Sequence, residues 1–503
     1  MTLYLLGIDV GTSVIKAALF DRTGVEVATA SVRTNVIERK PGWSELDPET
    51  TWTTVTETCR AVLGKAGVTG GAIAGVGVTG VMVGAWLVDG AGATVRRAIL
   101  WNDSRAQGLI ATLVAERPDL FSAIFAHSGS VMQSGCTLPL LAWLARHEPD
   151  RLAAARSILT AKDFVRLRLT GVSGTDETEA AVAPGSAPAR TFSPDAAALL
   201  RVERLTALLP PVGRSEAIAG AVTAAAAMQT GLRAGTPVAF GAGDTPASVI
   251  GAGLGSPGYA STVLGTTCLN GVVLAEPSFE PTDLGLLFTV PGRLWMKTMV
   301  NVAGTSNIDW CLHALCPDLA GSPDPYEALA ALAKAGGVGA GGVTYIPYLS
   351  SGGIIAPRIE PGARGSFVGL EPRHGRQHLV RALYEGVALS IRDCFEAIAR
   401  PMHAVRLAGG GAQSAFWSQM IADILGVPVE VPVGTQFGAK GAALLAGVGI
   451  GWYGSVEEAC RATFTLERCN EPDGDKRDAY EASFRRYKTA STATLDGIAP
   501  SFR

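Results

Sequence analysis

Residues 3–20 read Leu3-Tyr4-Leu5-Leu6-Gly7-Ile8-Asp9-Val10-Gly11-Thr12-Ser13-Val14-Ile15-Lys16-Ala17-Ala18-Leu19-Phe20. Two apolar runs, Leu3–Ile8 and Val14–Phe20, flank a Gly-Thr-Ser turn, and Asp21–Gly24 turns the chain again before Val25–Val32. Turn residues between short apolar runs predict strand–turn–strand–turn–strand, an antiparallel meander. Downstream, Thr51–Leu63, Leu138–Arg146, Lys162–Leu169 and Thr245–Ala252 predict helices, and Ile73–Val78, Ala85–Val88 and Pro237–Phe240 predict strands. Alternation of this kind argues an α/β fold. Near position 254 the opening pattern returns: Ser261–Leu264, then Gly265-Thr266-Thr267, then Cys268–Leu274. The recurrence reads either as an internal duplication or as chance in a chain holding 61 glycines. The Gly/Pro/Ser-rich stretch Ala252–Pro257 sets a boundary, giving domains 1–252 and 253–503.

Composition narrows the class. Lys+Arg 42 against Asp+Glu 45 gives a net charge of -3, without the basic excess of a general nucleic-acid binder. With 48% hydrophobic and 17% charged residues, the chain can bury large cores. The apolar stretch Ala217–Met228 falls short of the roughly 20 residues a membrane span needs. Met1–Val10 has no basic region and is interrupted by Asp9, so no secretory signal is expected. Eight scattered cysteines without a CxxC pair read as reduced thiols of a cytoplasmic protein. Six histidines without paired spacing argue against structural zinc.

Four stretches could carry chemistry. In Asp9-Val10-Gly11-Thr12-Ser13-x-x-Lys16, glycine lets several N–H groups converge on an anion, the hydroxyls add donors and Lys16 a point charge. Asp9 sits where it can hold a Mg²⁺ shell through water. The alternative is an ordinary hairpin turn. In Ala239-Phe240-Gly241-Ala242-Gly243-Asp244-Thr245, a strand brings a carboxylate to a helix start. Asp244 there is a helix cap or a general base, and the local sequence favours the cap. Gly409-Gly410-Gly411-Ala412-Gln413-Ser414, between strand Val405–Ala408 and helix Ala415–Leu425, admits a flat ring or a phosphate, or is a flexible connector. In Ile99-Leu100-Trp101-Asn102-Asp103-Ser104-Arg105, Trp101 could cover a sugar face while Asn102 and Asp103 bond hydroxyls; the alternative is a core tryptophan beside a salt-bridged turn.

Taken in order, these pieces resemble the FGGY carbohydrate kinases of the actin and hexokinase ATPase superfamily. Further pieces are Pro41-Gly42-Trp43-Ser44-Glu45, Trp143-Leu144-Ala145-Arg146-His147-Glu148-Pro149, Lys162-Asp163-Phe164, Leu264-Gly265-Thr266-Thr267 and Tyr345-Ile346-Pro347-Tyr348-Leu349-Ser350. The resemblance runs from Gly7 to about Ala446 and looks most like the xylulokinase branch. It implies two ribonuclease-H-like α/β domains with mixed sheets and an interdomain cleft. It implies an ATP-dependent kinase acting with Mg²⁺ on a small sugar or polyol, with D-xylulose first and a homodimer as the family assembly. A non-catalytic, nucleotide-binding sugar sensor on the same scaffold is the rival.

By the same resemblance, Gly11, Thr12, Ser13 and Lys16 match one phosphate hairpin and Gly265, Thr266 and Thr267 the other. The two would clamp one nucleotide. Gly304 borders the nucleotide, and Gly410, Gly411, Ala412 and Ser414 match the adenosine loop. Asp244 matches the catalytic base, and with Asp9 helps to position Mg²⁺ through water. Met82, Val83, Trp101 and Thr245 fall at substrate positions. Several residues depart from the pattern. The usual Gln-Met-His-Gly is Val81-Met82-Val83-Gly84, and Gly-Asp-Asn is Gly243-Asp244-Thr245. Ser351-Gly352-Gly353-Ile354-Ile355 replaces Gly-Glu-Arg-Thr-Pro, and Leu140 stands where a lysine is usual. The ATP half therefore fits the pattern more closely than the sugar half, which leaves L-xylulose, another pentulose, a tetritol, glycerol and gluconate open.

Overall fold

A computed structural model describes residues 2–496. Met1 and residues 497–503, the outer ends of the two expected domains, lie outside the described residues. The opening meander is β1 (Tyr4–Val10), β2 (Val14–Phe20) and β3 (Glu26–Arg33), with Asp9 opposite Lys16 in the hairpin. Helix α1 (Pro48–Ala66) starts three residues before its predicted position, because Asp47 accepts from the Thr50 N–H and Pro48 suits the first turn. It ends at Gly67, which adopts φ +65°. Then come β4 (Ile73–Gly80), α2 (Ala161–Thr170), α3 (Glu177–Val182), β5 (Ile218–Ala221), β6 (Pro237–Ala239), β7 (Ala242–Gly243) and α4 (Asp244–Gly251). The sheet order is β5-β6-β4-β1-β2-β3, with β7 also pairing β4. β4 runs parallel to β1, so the sheet is mixed.

The second unit repeats this plan. Its strands are β8 (Tyr259–Leu264), β9 (Cys268–Leu274), β10 (Leu294–Asn301), β11 (Ala404–Ala408), β12 (Val429–Pro432) and, after helix α8 described below, β13 (Leu466–Asn470). Helices α5 (Ser306–Ala314) and α6 (Arg376–Ile398) precede β11, and α7 (Ala415–Leu425) follows it. The sheet runs β10-β9-β8-β11-β12-β13, with a further edge strand, Leu286–Val290, beside β10. As β1 pairs antiparallel with β2 and parallel with β4, so β8 pairs antiparallel with β9 and parallel with β11. Each sheet then continues through one parallel and one antiparallel neighbour. Five strands correspond in both sheet position and chain order: β1, β2, β3, β4 and β6 with β8, β9, β10, β11 and β12. A chance Gly-Thr triplet cannot produce this, so the recurrence is a duplication; the outer strands β5 and β13 enter the chain at different points.

The compact units interleave along the sequence. The first holds residues up to Ser256 together with Leu274–Met296 and Gln436–Phe464; the second holds Pro257–Val273, Lys297–Thr435 and the chain from Thr465. The late helix α8 (Phe437–Gly449) thus packs on β1, β4 and α4 of the first unit. Glycine makes that packing close. A Cβ at Gly7 would lie 1.8 Å from the Ala439 carbonyl oxygen, and one at Gly77 1.8 Å from that of Ala442. From the helix side, a Cβ at Gly441 would lie 1.8 Å from the Ala247 carbonyl oxygen. Backbone therefore lies on backbone, leaving no room for a methyl group. Among the described residues, no helix is long and apolar enough to cross a membrane.

Candidate active site

The parallel strands of the first unit deliver its polar residues to one edge. In register, Asp9 faces Thr79, which faces Ala242, and Val10 faces Gly80, which faces Gly243. The chain leaving β4 carries Met82 and Val83, and the chain leaving β7 enters α4 at Asp244. Crevices at the carboxyl ends of parallel strands are the usual ligand sites of such sheets.

Asp244 is not a cap. The N-cap position belongs to Gly243, and Asp244 is the first helical residue. Its Oδ1 accepts from the N–H of Thr245 at 2.6 Å and from the Thr245 hydroxyl at 3.3 Å. The side chain is partly covered. Crowding by protein, then the negative charge of Asp9, push its carboxyl up to about 7. Asp9 is raised by the same desolvation and drawn back by Lys16, its neighbour across the hairpin. The Asp9 carboxylate has no hydrogen-bond partner among the described residues, and a methyl at Gly438 would sit 3.0 Å from its Oδ2.

The hairpin and the substrate-side residues meet here. A Cβ at Gly11 would fall 2.5 Å from the Val14 carbonyl oxygen, so the tight turn requires glycine. The Thr12 carbonyl accepts from the Thr34 hydroxyl, and Ser13 is exposed. Trp101, 44% exposed, donates its indole N–H to Thr12 Oγ1 at 3.2 Å. Met82 fills the space where a Gly243 side chain would be, its Sδ 2.6 Å from the Cβ position. Val83 has φ +55° and donates its N–H to Glu179 Oε2 at 2.9 Å.

Asp103 takes the salt-bridged-turn alternative rather than a hydroxyl-binding role. It is fully buried, with Oδ2 accepting from the Ser44 N–H at 2.6 Å and Oδ1 held by Arg105 at 2.8 Å. A buried arginine needs a carboxylate partner, and Asp103 is consumed in that role. Sequence reasoning also missed Glu179 and Gly438, which reach the site only through the tertiary fold.

In the second unit, Thr266 and Thr267 are exposed at the β8–β9 turn. Gly304 lies against that turn: a Cβ there would meet the Gly265 and Thr266 carbonyl oxygens at 2.3 and 2.4 Å. The Thr305 N–H donates to Gly265 at 2.7 Å and the Ser306 hydroxyl to Thr266 at 3.1 Å. The Gly409 loop is ordered as a 3-10 turn, Gly410–Gln413. Gly409 takes φ +89° against the Leu264 carbonyl, while Gly410 has open space where a side chain would stand. Ala412 accepts from Arg468 at 2.7 Å, and Ser414 caps α7 through the Trp417 N–H. Each half thus sets a Gly-Thr hairpin beside further loop elements.

Two family models match the chain: the N-terminal domain of the FGGY family of carbohydrate kinases over residues 4–251, and its C-terminal domain over residues 260–450. The chain belongs to the FGGY family of carbohydrate kinases. It is 30% identical to the xylulose kinase of Bacillus subtilis, covering 98% of this chain and 97% of that one. It is 30% identical to the L-xylulose/3-keto-L-gulonate kinase of Escherichia coli, over 97% and 96% of the two chains. It is also 30% identical to the erythritol kinase of Brucella abortus, over 97% and 96%. The crystal structure of xylulose kinase from Rhodospirillum rubrum superposes with a TM-score of 0.87 at 28% identity, covering 98% of this chain and 99% of that one. The FGGY kinase is accordingly a sugar kinase that uses ATP.

One prediction follows from the second hairpin. The Thr266 side chain is exposed and its carbonyl is already engaged, so Thr266→Val removes a hydroxyl donor without disturbing packing. ATP affinity is expected to fall by on the order of 1–3 kcal/mol, with sugar binding unchanged. Thr12→Val should weaken ATP similarly but also unpair the Trp101 indole, so its effect reaches the acceptor. Calorimetric ATP affinity equal to wild type in both variants would contradict the paired-hairpin reading.

Proposed function

We propose that this kinase transfers the γ-phosphoryl group of ATP to a primary hydroxyl of a small ketose or polyol, with D-xylulose as first substrate. The observation that carries it is the pairing of Asp9 and Asp244 at neighbouring strand ends, beside Met82 and the half-exposed Trp101. Asp244 would orient the acceptor hydroxyl and accept its proton late in transfer. A carboxyl whose proton affinity is raised by burial suits that step better than a fully solvated one. Trp101 would cover one face of the sugar, with Met82, Val83 and Thr245 lining the rest. A sensor without catalysis would need no such carboxylate pair.

Residues 1–252 would bind sugar and phosphate and residues 253–503 the nucleotide. Gly265–Thr267 would face its phosphates, and Gly304 and Gly410–Ala412 its adenosine. Asp9 and Asp244 also fit Mg²⁺. Among the described residues no group of three or more acidic, His or Cys ligands forms a cage, and two neighbouring carboxylates suit a cation that keeps most of its waters. When bound, the ion would neutralise charge on the phosphates. We read the enzyme as cytoplasmic, and the homodimer as its assembly.

ADP release measured with D-xylulose, L-xylulose, D-ribulose, erythritol, glycerol and gluconate tests the proposal. Sugar-independent ADP release, or none with any of them, would sink it. Position 83 should shape the ranking. A site built to bond a hydroxyl rejects analogues lacking it, because its own polar group is stranded. The Val83 side chain has no such group, so deoxy analogues should be tolerated here. Val83→His should raise kcat/KM for D-xylulose relative to the other sugars, and histidine accepts a positive φ more readily than valine. A wild type that already rejects deoxy-D-xylulose sharply would refute this account of Val83.

A further inference from the structure

Two consecutive residues of α3 hold the two sides of the acceptor site. Thr178 Oγ1 accepts from the Gly243 N–H at 2.9 Å, next to Asp244. Glu179 Oε2 accepts from the Val83 N–H at 2.9 Å. Val83 is the residue that needs holding. At φ +55° a β-branched side chain crowds its own backbone, and such a conformation persists only where the surroundings over-determine it. The flanking amides are tied as well, that of Val81 to the Val10 carbonyl and that of Gly84 to the Gly135 carbonyl. Between them, Val83 depends on a side chain 96 residues away.

Glu179 is an odd residue to keep for packing alone. It is 3% exposed, and its Oε1 is buried without a hydrogen-bond partner among the described residues. Lys162 is close by but is engaged with Asp163 and Asp176, at 2.7 and 2.8 Å. Burial holds the Glu179 carboxyl well above the usual range, which favours its neutral form. A half-satisfied buried carboxyl is unfavourable for stability, so its presence one hydrogen bond from the acceptor turn calls for a role there.

We infer that Glu179 is a positioning residue for the sugar: it holds Val83 in the left-handed region and so fixes Met82 against Gly243, beside the catalytic base. The inference rests on the kinase reading above and adds to it how the acceptor wall is set. Glu179→Gln keeps an oxygen for the Val83 N–H and should behave as wild type. Glu179→Leu removes it, and the turn is expected to relax. The KM for D-xylulose should then rise by about tenfold or more, with the KM for ATP unchanged. Glycine adopts φ +55° without restraint, so Val83→Gly in the Glu179→Leu background should recover most of that loss.

Hydrogen–deuterium exchange of residues 81–84 gives a readout independent of activity. It should speed up in Glu179→Leu and stay at the wild-type rate in Glu179→Gln. If Glu179→Leu does not fold, Glu179→Ala with and without Val83→Gly makes the same comparison. Unchanged D-xylulose KM and unchanged exchange at 81–84, or no rescue by Val83→Gly, would overturn the inference. If D-xylulose is not a substrate, the best substrate of the six-sugar panel replaces it. If no sugar supports ADP release, the kinase reading fails, while the exchange rates still decide whether Glu179 holds the turn.

Discussion

Asp244→Asn is expected to lower turnover by roughly 10²–10⁴ while leaving ATP affinity near the wild-type value. Asparagine keeps the size of the side chain, and its oxygen still accepts from the Thr245 N–H that Asp244 holds at 2.6 Å. Two things are lost: the ability to take the acceptor's proton, and the negative charge beside Asp9. The first slows transfer. The second weakens the hold on the cation rather than on the adenosine. Steady-state turnover and calorimetric ATP binding separate these effects. A variant turning over at the wild-type rate would remove Asp244 from the chemistry. Because Gly243 fills the cap position and Asn removes a buried charge that Asp9 repels, a slow Asp244→Asn enzyme should melt at or above the wild-type temperature, so a defect would not reflect a lost helix cap.

Gly77→Ala should act on stability instead. Its new Cβ would lie 1.8 Å from the Ala442 carbonyl oxygen and 2.3 Å from its carbon. Neither atom belongs to a flexible side chain, so β4 and α8 must separate along their contact. Overpacking of a core typically amounts to 1–3 kcal/mol, and a backbone-on-backbone clash belongs at or beyond the top of that range, about 3 kcal/mol or more. The thermal midpoint should fall by several degrees. Gly90→Ala is the control, since a Cβ there meets nothing within 4 Å. Equal midpoints for the two variants would mean that α8 does not rest on the sheet through glycine.

What the sequence could reveal follows the range of the forces involved. The hairpins β1–β2 and β8–β9 were legible because turn residues and short apolar runs are local signals, and their strands lie within two residues of the predicted ends. Asp9 and Asp244 were singled out as candidates for chemistry mainly through family resemblance. The residues around Asp244 alone favoured a helix cap, and only the backbone shows Gly243 in that position. At Asn102-Asp103-Ser104-Arg105 the sequence left two readings open, hydroxyl binding or a salt-bridged turn, because a run of polar residues does not say whether arginine folds back on the aspartate. The fold takes the salt-bridged turn for Asp103 but leaves Trp101 exposed. Glu179 could not be found at all, since its meaning depends on a strained amide brought from far along the chain. The return of α8 to the first unit was equally hidden. Gly438 and Gly441 mark a face fit for close contact, but small residues do not name the surface they will meet.

That return has a consequence for synthesis on the ribosome. The first unit lacks α8 until residues 437–449 emerge, roughly 180 residues after Ser256. At about 5–20 residues per second, that is a wait of roughly 10–40 s during which most of the unit exists without its closing helix. Over that interval Gly7 and Gly77 present bare backbone where α8 will lie, on strands whose other residues are mostly apolar. The nascent chain therefore carries a sticky, half-built sheet while the second unit is being made. A fragment stopping near residue 252 would stay in that condition permanently, and should be recovered in complex with holding chaperones rather than as a free domain.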